Sequence, residues 1–128
     1  FSALVFVGLA LWLVGIGIEV AADAQKSAFK KSGSDSFIKS GIWSWSRHPN
    51  YFGESLLWWG IFVMVLSALS GLLWLSVLGP VFITCLLLFV SGIPLLEKAA
   101  DKRWGNDPEY KAYKASTSIF VPLPPKKR

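Results

Sequence analysis

Residues 55–96 read SLLWWGIFVMVLSALSGLLWLSVLGPVFITCLLLFVSGIPLL, an apolar run without a single charged side chain. A helix of about 20 residues crosses the hydrocarbon layer of a bilayer, so this run is too long for one crossing and fits two. We place the turn between the crossings at Ser67–Gly71. The Gly79-Pro80 pair falls inside the second crossing, where it should kink the helix rather than end it.

A second apolar run opens the chain and is about long enough for one crossing. The sequence therefore predicts an all-α membrane bundle with three transmembrane helices, at 1–20, 52–68 and 72–96. These helices belong to a single domain over residues 1–128, with a connection at 21–50 and a tail at 97–128. The 53% hydrophobic content and the mean hydropathy of +0.49 exceed those of ordinary soluble domains. Phe1 at the start suggests a fragment, and we expect the C-terminal half of a larger bundle.

The charges lie at one side of these helices. The connection and the tail carry all 13 Lys and Arg residues. The positive-inside rule places both segments on the cytosolic side of an integral, multi-pass protein, without deciding between the endoplasmic reticulum, another organelle and a bacterial inner membrane. The net charge of +5 then reflects topology and contact with anionic membrane lipid. Nucleic acid is not an expected partner.

Residues 43–54, WSWSRHPNYFGE, join the basic connection to the second crossing. Ionisable groups at the mouth of a membrane helix are costly to desolvate, so they suggest a site. Glu19, Glu54 and Glu97 should lie at the same interface, because each is predicted at the end or start of a crossing. Such acids can simply solvate helix ends. Alternatively, they form a polar pocket below the cytosolic surface.

The chemistry of this junction favours an anionic ligand. Arg47 offers a planar fork for a phosphate or carboxylate, and the N–H groups from Asn50 onward open a helix, which also attracts anions. His48 has three possible roles: an ordinary loop residue, a contact to phosphate or substrate, or a ligand of a metal or haem. With one Cys and one His, the chain has no metal-type spacing, and we expect no metal site.

The tail should contain a short helix and an extended segment. Asp107-Pro108-Glu109 has the pattern of a helix start: an N-cap, a proline in the first turn and an acid near the positive end of the dipole. The prolines of Val121–Pro125 exclude a helix there. Lys126–Arg128 is predicted to be a lipid-facing anchor.

Several of these motifs together resemble one family. They are Glu19-x-x-x-Asp23-x-x-Lys26, Gly41-x-Trp43-x-x-Ser46-Arg-His-Pro-Asn-Tyr-Phe-Gly-Glu54, Ser91-Gly-Ile-Pro-Leu-Leu-Glu97 and Tyr110-x-x-Tyr113. The chain is similar, over about residues 15 to 124, to an uncharacterised membrane family grouped with the steroid 5α-reductase C-terminal domain. A shorter Arg-His-Pro followed by Tyr is shared with isoprenylcysteine carboxyl methyltransferases.

The resemblance implies an NADPH-dependent reductase of a lipid or steroid-like enone, an oxidoreductase of lipid metabolism. The predicted cofactor site comprises Asp23, Lys26, Arg47, His48, Asn50, Tyr51, Glu54, Glu97 and Asp101. In the reductases, the acid that polarises the carbonyl lies in an N-terminal half that this sequence lacks. No catalytic residue is therefore assigned, and we expect further transmembrane helices from that half or from partner subunits.

Two alternatives stay open. The chain could be a lipid methyltransferase that uses S-adenosylmethionine, since the Arg-His-Pro segment and an acid after the last helix help to hold that cofactor in the methyltransferases. Glu54 has no regular counterpart there, which favours the reductase. The chain could also be a non-catalytic membrane subunit that keeps the fold.

Overall fold

The computed structural model describes residues 2–126, and these form an all-helical membrane protein. Five α-helices follow in chain order: α1 Ala3–Lys31, α2 Pro49–Val65, α3 Leu78–Cys85, α4 Ile93–Trp104 and α5 Pro108–Ser116. Short 3-10 segments at Gly41–Ser44, Leu66–Ala68 and Gly71–Val77 and a π-helical turn at Leu86–Val90 connect them.

The predicted fold class is confirmed. Three helical stretches of the described residues are long and apolar enough to cross a membrane, and they are Ala3–Lys31, Pro49–Ala68 and Gly71–Trp104. Two of them extend further into polar sequence than we predicted. The first continues to Lys31 because residues 21–31 are mostly good helix formers, and it ends before Gly33, whose φ is +79°. The third continues to Trp104, so Glu97 lies inside α4 rather than at a helix end.

Helices α1 and α2 pack in an antiparallel pair through glycines. Gly8 lies against the backbone of Gly60, and Gly15 lies against the backbone of Gly53. A Cβ added to Gly15 would come within 2.6 Å of the Leu57 backbone nitrogen. Between membrane helices, small residues of this kind allow the backbones to approach closely. The contacts also fix which faces of the two helices meet.

The third apolar stretch is less regular and contacts α2 through side chains. Its 3-10 segment gives way to α3, and Pro80 lies in the first turn of α3, where its missing N–H is tolerated. A hydrogen bond from the Trp59 Nε1 to the Thr84 hydroxyl oxygen joins α2 to α3 at 2.9 Å. The rings of Phe62 and Trp74 meet edge to face, with centroids 6.4 Å apart.

A break at Ser91-Gly92 interrupts this stretch just before α4. The N–H groups of both residues donate to the Leu86 carbonyl oxygen, which closes the π-helical turn. A Cβ at Gly92 would lie 2.7 Å from the Leu87 carbonyl oxygen, so the close approach requires glycine. Helix α4 starts anew beyond the break and carries Glu97 to the polar end of the molecule.

The polar end has a small aromatic core of its own. Phe37, Tyr110 and Tyr113 are buried together, and Trp104 packs against them. The Tyr113 hydroxyl donates to the Trp43 carbonyl oxygen at 2.6 Å, which joins α5 to the 3-10 turn before α2. Helix α5 starts as predicted: the Asp107 side chain accepts from the Glu109 N–H, and a proline follows the cap.

Residues 117–126, which we call the strap, are not helical and form a loop after α5, closed by a hydrogen bond from the Lys126 N–H to the Ser116 carbonyl oxygen at 3.1 Å. The N–H of Arg47 donates to the Ser118 carbonyl oxygen at 2.8 Å, and the N–H of Leu123 donates to the Trp45 carbonyl oxygen at 3.0 Å. Val121–Pro125 is not helical, as its prolines predicted. Of the predicted Lys126–Arg128 anchor, residues 127 and 128 lie outside the described residues.

Candidate functional site

A cavity of about 360 Å³ opens at the polar end, between the end of α1, the loop before α2, and helices α4 and α5. This volume is within the range of small-molecule sites. The charged and polar side chains that matter for its chemistry are Lys26, Lys30, Arg47, His48, Asn50, Glu97 and Arg103.

Glu97 joins the start of α2 to α4. Its Oε1 accepts from the Arg47 Nη1, and its Oε2 lies 3.0 Å from the His48 Nε2. The exposed side-chain fractions of Arg47, His48 and Glu97 are 12%, 8% and 16%. Because both carboxylate oxygens are occupied and mostly buried, the charge of Glu97 is offset within the protein.

The loop that carries Arg47 and His48 is fixed from both sides. Ser46 is fully buried, and its hydroxyl donates to the Phe120 carbonyl oxygen at 2.7 Å and accepts from the His48 N–H at 3.1 Å. His48 precedes Pro49, which disfavours helical dihedrals at His48 and makes it the N-cap of α2. The strap and the proline therefore set the direction of both side chains.

Two polar atoms beside this loop are buried and have no hydrogen-bond partner among the described residues. They are the Asn50 Oδ1 and the Arg47 Nε. A buried polar atom without a partner is costly, commonly by about 1–3 kcal/mol. Asn50 also lines the cavity. A ligand with a hydrogen-bond donor at this point would satisfy the Asn50 Oδ1.

The other three cations of the cavity are not paired with acids. The Lys26 ammonium lies 5.3 Å from the centre of the Trp43 ring, and the Arg103 guanidinium lies 4.7 Å from the centre of the Trp104 ring. Lys30 lies one turn beyond Lys26 on α1. Within residues 2–126, none of the three forms an ion pair with a carboxylate. Glu97 is the one acid in the lining of the described cavity, so the cavity has a net positive charge.

Aromatic rings form much of the remaining wall. The cavity is lined by Phe29, Phe37, Trp43, Trp104, Tyr110 and Tyr113. Burial raises the pKa of the Tyr110 hydroxyl to about 12, and the negative charges of Glu97 and Asp101 act in the same direction. Tyr110 therefore stays neutral at physiological pH and can donate a hydrogen bond. Flat rings beside unpaired cations suit a ligand with both aromatic and anionic groups.

The structure brings five of the nine predicted site residues together in the cavity lining: Lys26, Arg47, His48, Asn50 and Glu97. The other four, Asp23, Tyr51, Glu54 and Asp101, do not line it. Tyr51 nevertheless stacks on the His48 ring, with centroids 6.1 Å apart. Asp101 forms an ion pair with Lys114 at 2.7 Å.

The three acids predicted at one interface divide into two groups. Glu54 of α2 lies beside Glu19 of α1, and the Trp58 Nε1 donates to Glu54 at 3.1 Å. Glu97 instead contacts Arg47 and His48. The single pocket of three acids that we predicted is therefore wrong in its membership, because α1 and α2 turn Glu54 toward Glu19.

Sequence reasoning missed several residues of the cavity, chiefly Lys30, Phe37, Arg103 and Trp104. Lys30 could have been found from its spacing to Lys26, which places both on one face of a continued helix. Arg103 and Trp104 gave no such signal, because their direction depends on how α4 is rotated.

Comparison with known proteins gives a family and two partial relatives. Residues 1–117 match the family described as Protein of unknown function (DUF1295). The Protein-S-isoprenylcysteine O-methyltransferase of Saccharomyces cerevisiae is 38% identical over 55 residues, which cover 41% of this chain and 22% of that protein. An uncharacterized protein of Schizosaccharomyces pombe is 28% identical over 92 residues, covering 67% of this chain and 24% of that protein.

The chain spans about a quarter of the length of the curated relatives it matches. No solved structure matches the chain. The predicted likeness to methyltransferases agrees with the first relative, while the grouping with 5α-reductases stays a prediction.

Proposed function

This chain belongs to the DUF1295 family, and we propose that it holds the NADPH of a membrane reductase that acts on a lipid or steroid-like enone. The observation that carries the proposal is the charge of the cavity. Four cations, Lys26, Lys30, Arg47 and Arg103, surround it together with one carboxylate, whose charge Arg47 already offsets.

The two candidate cofactors differ in charge. NADPH carries a pyrophosphate and a further ribose phosphate, so it is strongly anionic. S-adenosylmethionine carries a sulfonium and an ammonium group against one carboxylate, so its net charge is positive. A cavity with three unpaired cations attracts the first and repels the second, and charge-assisted bonds to phosphate are the strong ones.

The remaining groups of the cavity suit the rest of a dinucleotide. The aromatic wall offers surfaces for the adenine and nicotinamide rings, and the Asn50 Oδ1 can accept from the amide group of nicotinamide. Glu54 lies one turn beyond Asn50 on α2, toward the membrane. In the proposed complex, Glu54 contacts the nicotinamide end of the cofactor, which has to face a substrate in the lipid.

The proposed reaction adds a hydride to the β-carbon of the enone and a proton to the resulting enolate. When bound, NADPH supplies the hydride. The residues of this chain bind and orient it: the cations hold phosphates, and Glu97 keeps Arg47 and His48 in place. An acid that polarises the carbonyl is required as well, since a developing enolate needs a donor held away from water. We assign that acid to no residue of this chain.

Cofactor binding to charge variants tests the proposal. We expect purified protein in detergent to bind NADPH, seen as energy transfer from tryptophan to the dihydronicotinamide. Arg103→Gln removes a cation of the cavity, and the matched control Lys102→Gln removes the neighbouring exposed charge. Losing one charge-assisted contact should weaken binding about tenfold to a hundredfold in Arg103→Gln. Equal NADPH affinity in Arg103→Gln and Lys102→Gln would contradict this site.

A second candidate is an S-adenosylmethionine-dependent lipid methyltransferase, and the Saccharomyces cerevisiae relative favours it. The same binding experiment separates the two candidates. Binding of S-adenosylmethionine without NADPH would replace the reductase by the methyltransferase. If neither cofactor binds, the third possibility, a non-catalytic membrane subunit, is the better explanation.

A further inference from the structure

The strap has two faces of different chemistry. Residues 118, 120 and 122 are partly covered, whereas the alternate residues Ile119, Val121 and Leu123 are exposed by 43%, 48% and 54%. The chain bends at residues 119–121, and the Lys126 N–H donates to the Ser116 carbonyl oxygen at 3.1 Å, so the strap is a loop that returns to the end of α5. The outward side of this loop carries the three exposed apolar side chains, which we call the apolar row.

Hydrogen bonds leave the strap little freedom to turn this row inward. The Ser118 and Phe120 carbonyl oxygens accept from the Arg47 N–H and the Ser46 hydroxyl, and the Leu123 N–H donates to Trp45. All three partners belong to the loop before α2. The inner face of the strap is thus used for binding that loop, and the apolar row faces away from the protein.

The depth of the row follows from its neighbours. The Phe120 ring meets the Phe52 ring edge to face at 5.4 Å, and Phe52 lies in the first turn of α2, just before the uncharged run that starts at Ser55. Trp45, which is bonded to the strap, is itself 43% exposed. Tryptophan is typical of the layer where lipid headgroups meet the acyl chains. The row therefore lies at the level of that layer.

We propose that Ile119, Val121 and Leu123 insert into the headgroup layer of an anionic bilayer, so that the strap is a lipid-binding surface. Apolar side chains at this level gain by leaving water. The sequence continues from the row into Lys126, Lys127 and Arg128, and basic residues near a membrane surface are attracted to anionic lipid by about 1 kcal/mol each. The combination of an apolar row and a basic end fits acidic phospholipid and is independent of the bound cofactor.

Spin labels at single cysteines test this placement in the whole chain. In a Cys85→Ser background, the labels are placed at Ile119→Cys, Val121→Cys and Leu123→Cys, and at Ser118→Cys on the inner face. Phe82→Cys on exposed α3 serves as the lipid reference, and Lys111→Cys on exposed α5 serves as the water reference. Collision rates with oxygen and with a nickel chelate are measured in nanodiscs of phosphatidylcholine, with or without phosphatidylglycerol.

The expected result is an oxygen-to-nickel ratio several-fold above that of Lys111→Cys at all three outward positions, but not at Ser118→Cys. Phosphatidylglycerol should raise the ratio further, and neutralising the basic end with Lys126→Gln, Lys127→Gln and Arg128→Gln should abolish that increase. A ratio equal to the water reference at the outward positions would overturn the proposal. Low collision rates with both reagents would overturn it as well, because they indicate a covering protein surface.

Discussion

The α1–α2 pair and the third apolar stretch, Gly71–Trp104, are equally suited to a membrane by length and apolarity, but they are packed differently. Glycines bring the backbones of α1 and α2 into direct contact. The third stretch meets α2 through the tips of side chains, and large residues such as Leu72 and Phe89 are exposed by 84% and 72%. Since lipid is as apolar as leucine, apolarity alone gives no reason for helices to associate.

The two regions are held in place by different interactions. The α1–α2 pair is held along its length by shape, whereas the third stretch is held at its polar end by charge, where Glu97 of α4 bonds to Arg47 and His48. Its middle is free to adopt 3-10 and π-helical turns because no close backbone contact constrains it. Substitutions in the two regions should therefore change the free energy of unfolding for different physical reasons and by different amounts.

The largest effect is expected from Glu97→Gln, which breaks the ion pairs that hold the polar end of the third stretch. Arg47 and His48 would lose a buried anionic partner, and breaking a buried ion pair from one side costs about 3–5 kcal/mol. The free energy of unfolding, measured by SDS titration in mixed micelles, should fall accordingly. Asp101→Asn, one turn further along α4, removes an exposed pair with Lys114 and should change stability by at most about 1 kcal/mol. Equal losses in the two variants would show that α4 is held elsewhere.

A smaller effect is expected where glycine packing is disturbed. Gly15→Ala places a Cβ 2.6 Å from the Leu57 backbone nitrogen, so the two helices have to separate. Overpacking of this kind costs about 1–3 kcal/mol. Gly17→Ala is the matched control, because its Cβ meets nothing within 4 Å and alanine favours the helix. The same SDS titration should show a loss for Gly15→Ala alone, and an equal stability of both variants would remove shape as the cause of the α1–α2 contact.

The difference between the regions also explains what the sequence could predict. The three apolar helices, the start of α5 at Asp107 and the lack of helix at Val121–Pro125 follow from hydropathy, capping and proline chemistry, all of which are local. Depth in the membrane follows from the same signals, so Glu19, Glu54 and Glu97 were expected at one interface. Which acids meet depends on how each helix is rotated, and hydropathy contains no information on rotation.

The same reason separates the site residues that were predicted from those that were missed. Arg47, His48 and Asn50 sit in one short loop and helix start, so their proximity follows from the chain itself. Arg103 and Trp104 reach the cavity only because α4 restarts after the break at Gly92 with a particular rotation. That break depends on a close contact to Leu87 within the π-helical turn, which no periodicity in the sequence indicates.

The smallest effect is expected on the outer face of the third stretch. It tests whether side chains on this exposed face contribute to stability. Phe82 of α3 is 63% exposed, so Phe82→Ala removes a ring that contacts little of the protein. Substitutions away from packed features usually change stability by no more than about 0.5 kcal/mol. The SDS titration of this variant should therefore overlay that of the unaltered chain, while Gly15→Ala in the same series shows that the assay responds. A loss as large as that of Gly15→Ala would mean that another helix, from a second copy of the chain, covers this face in micelles.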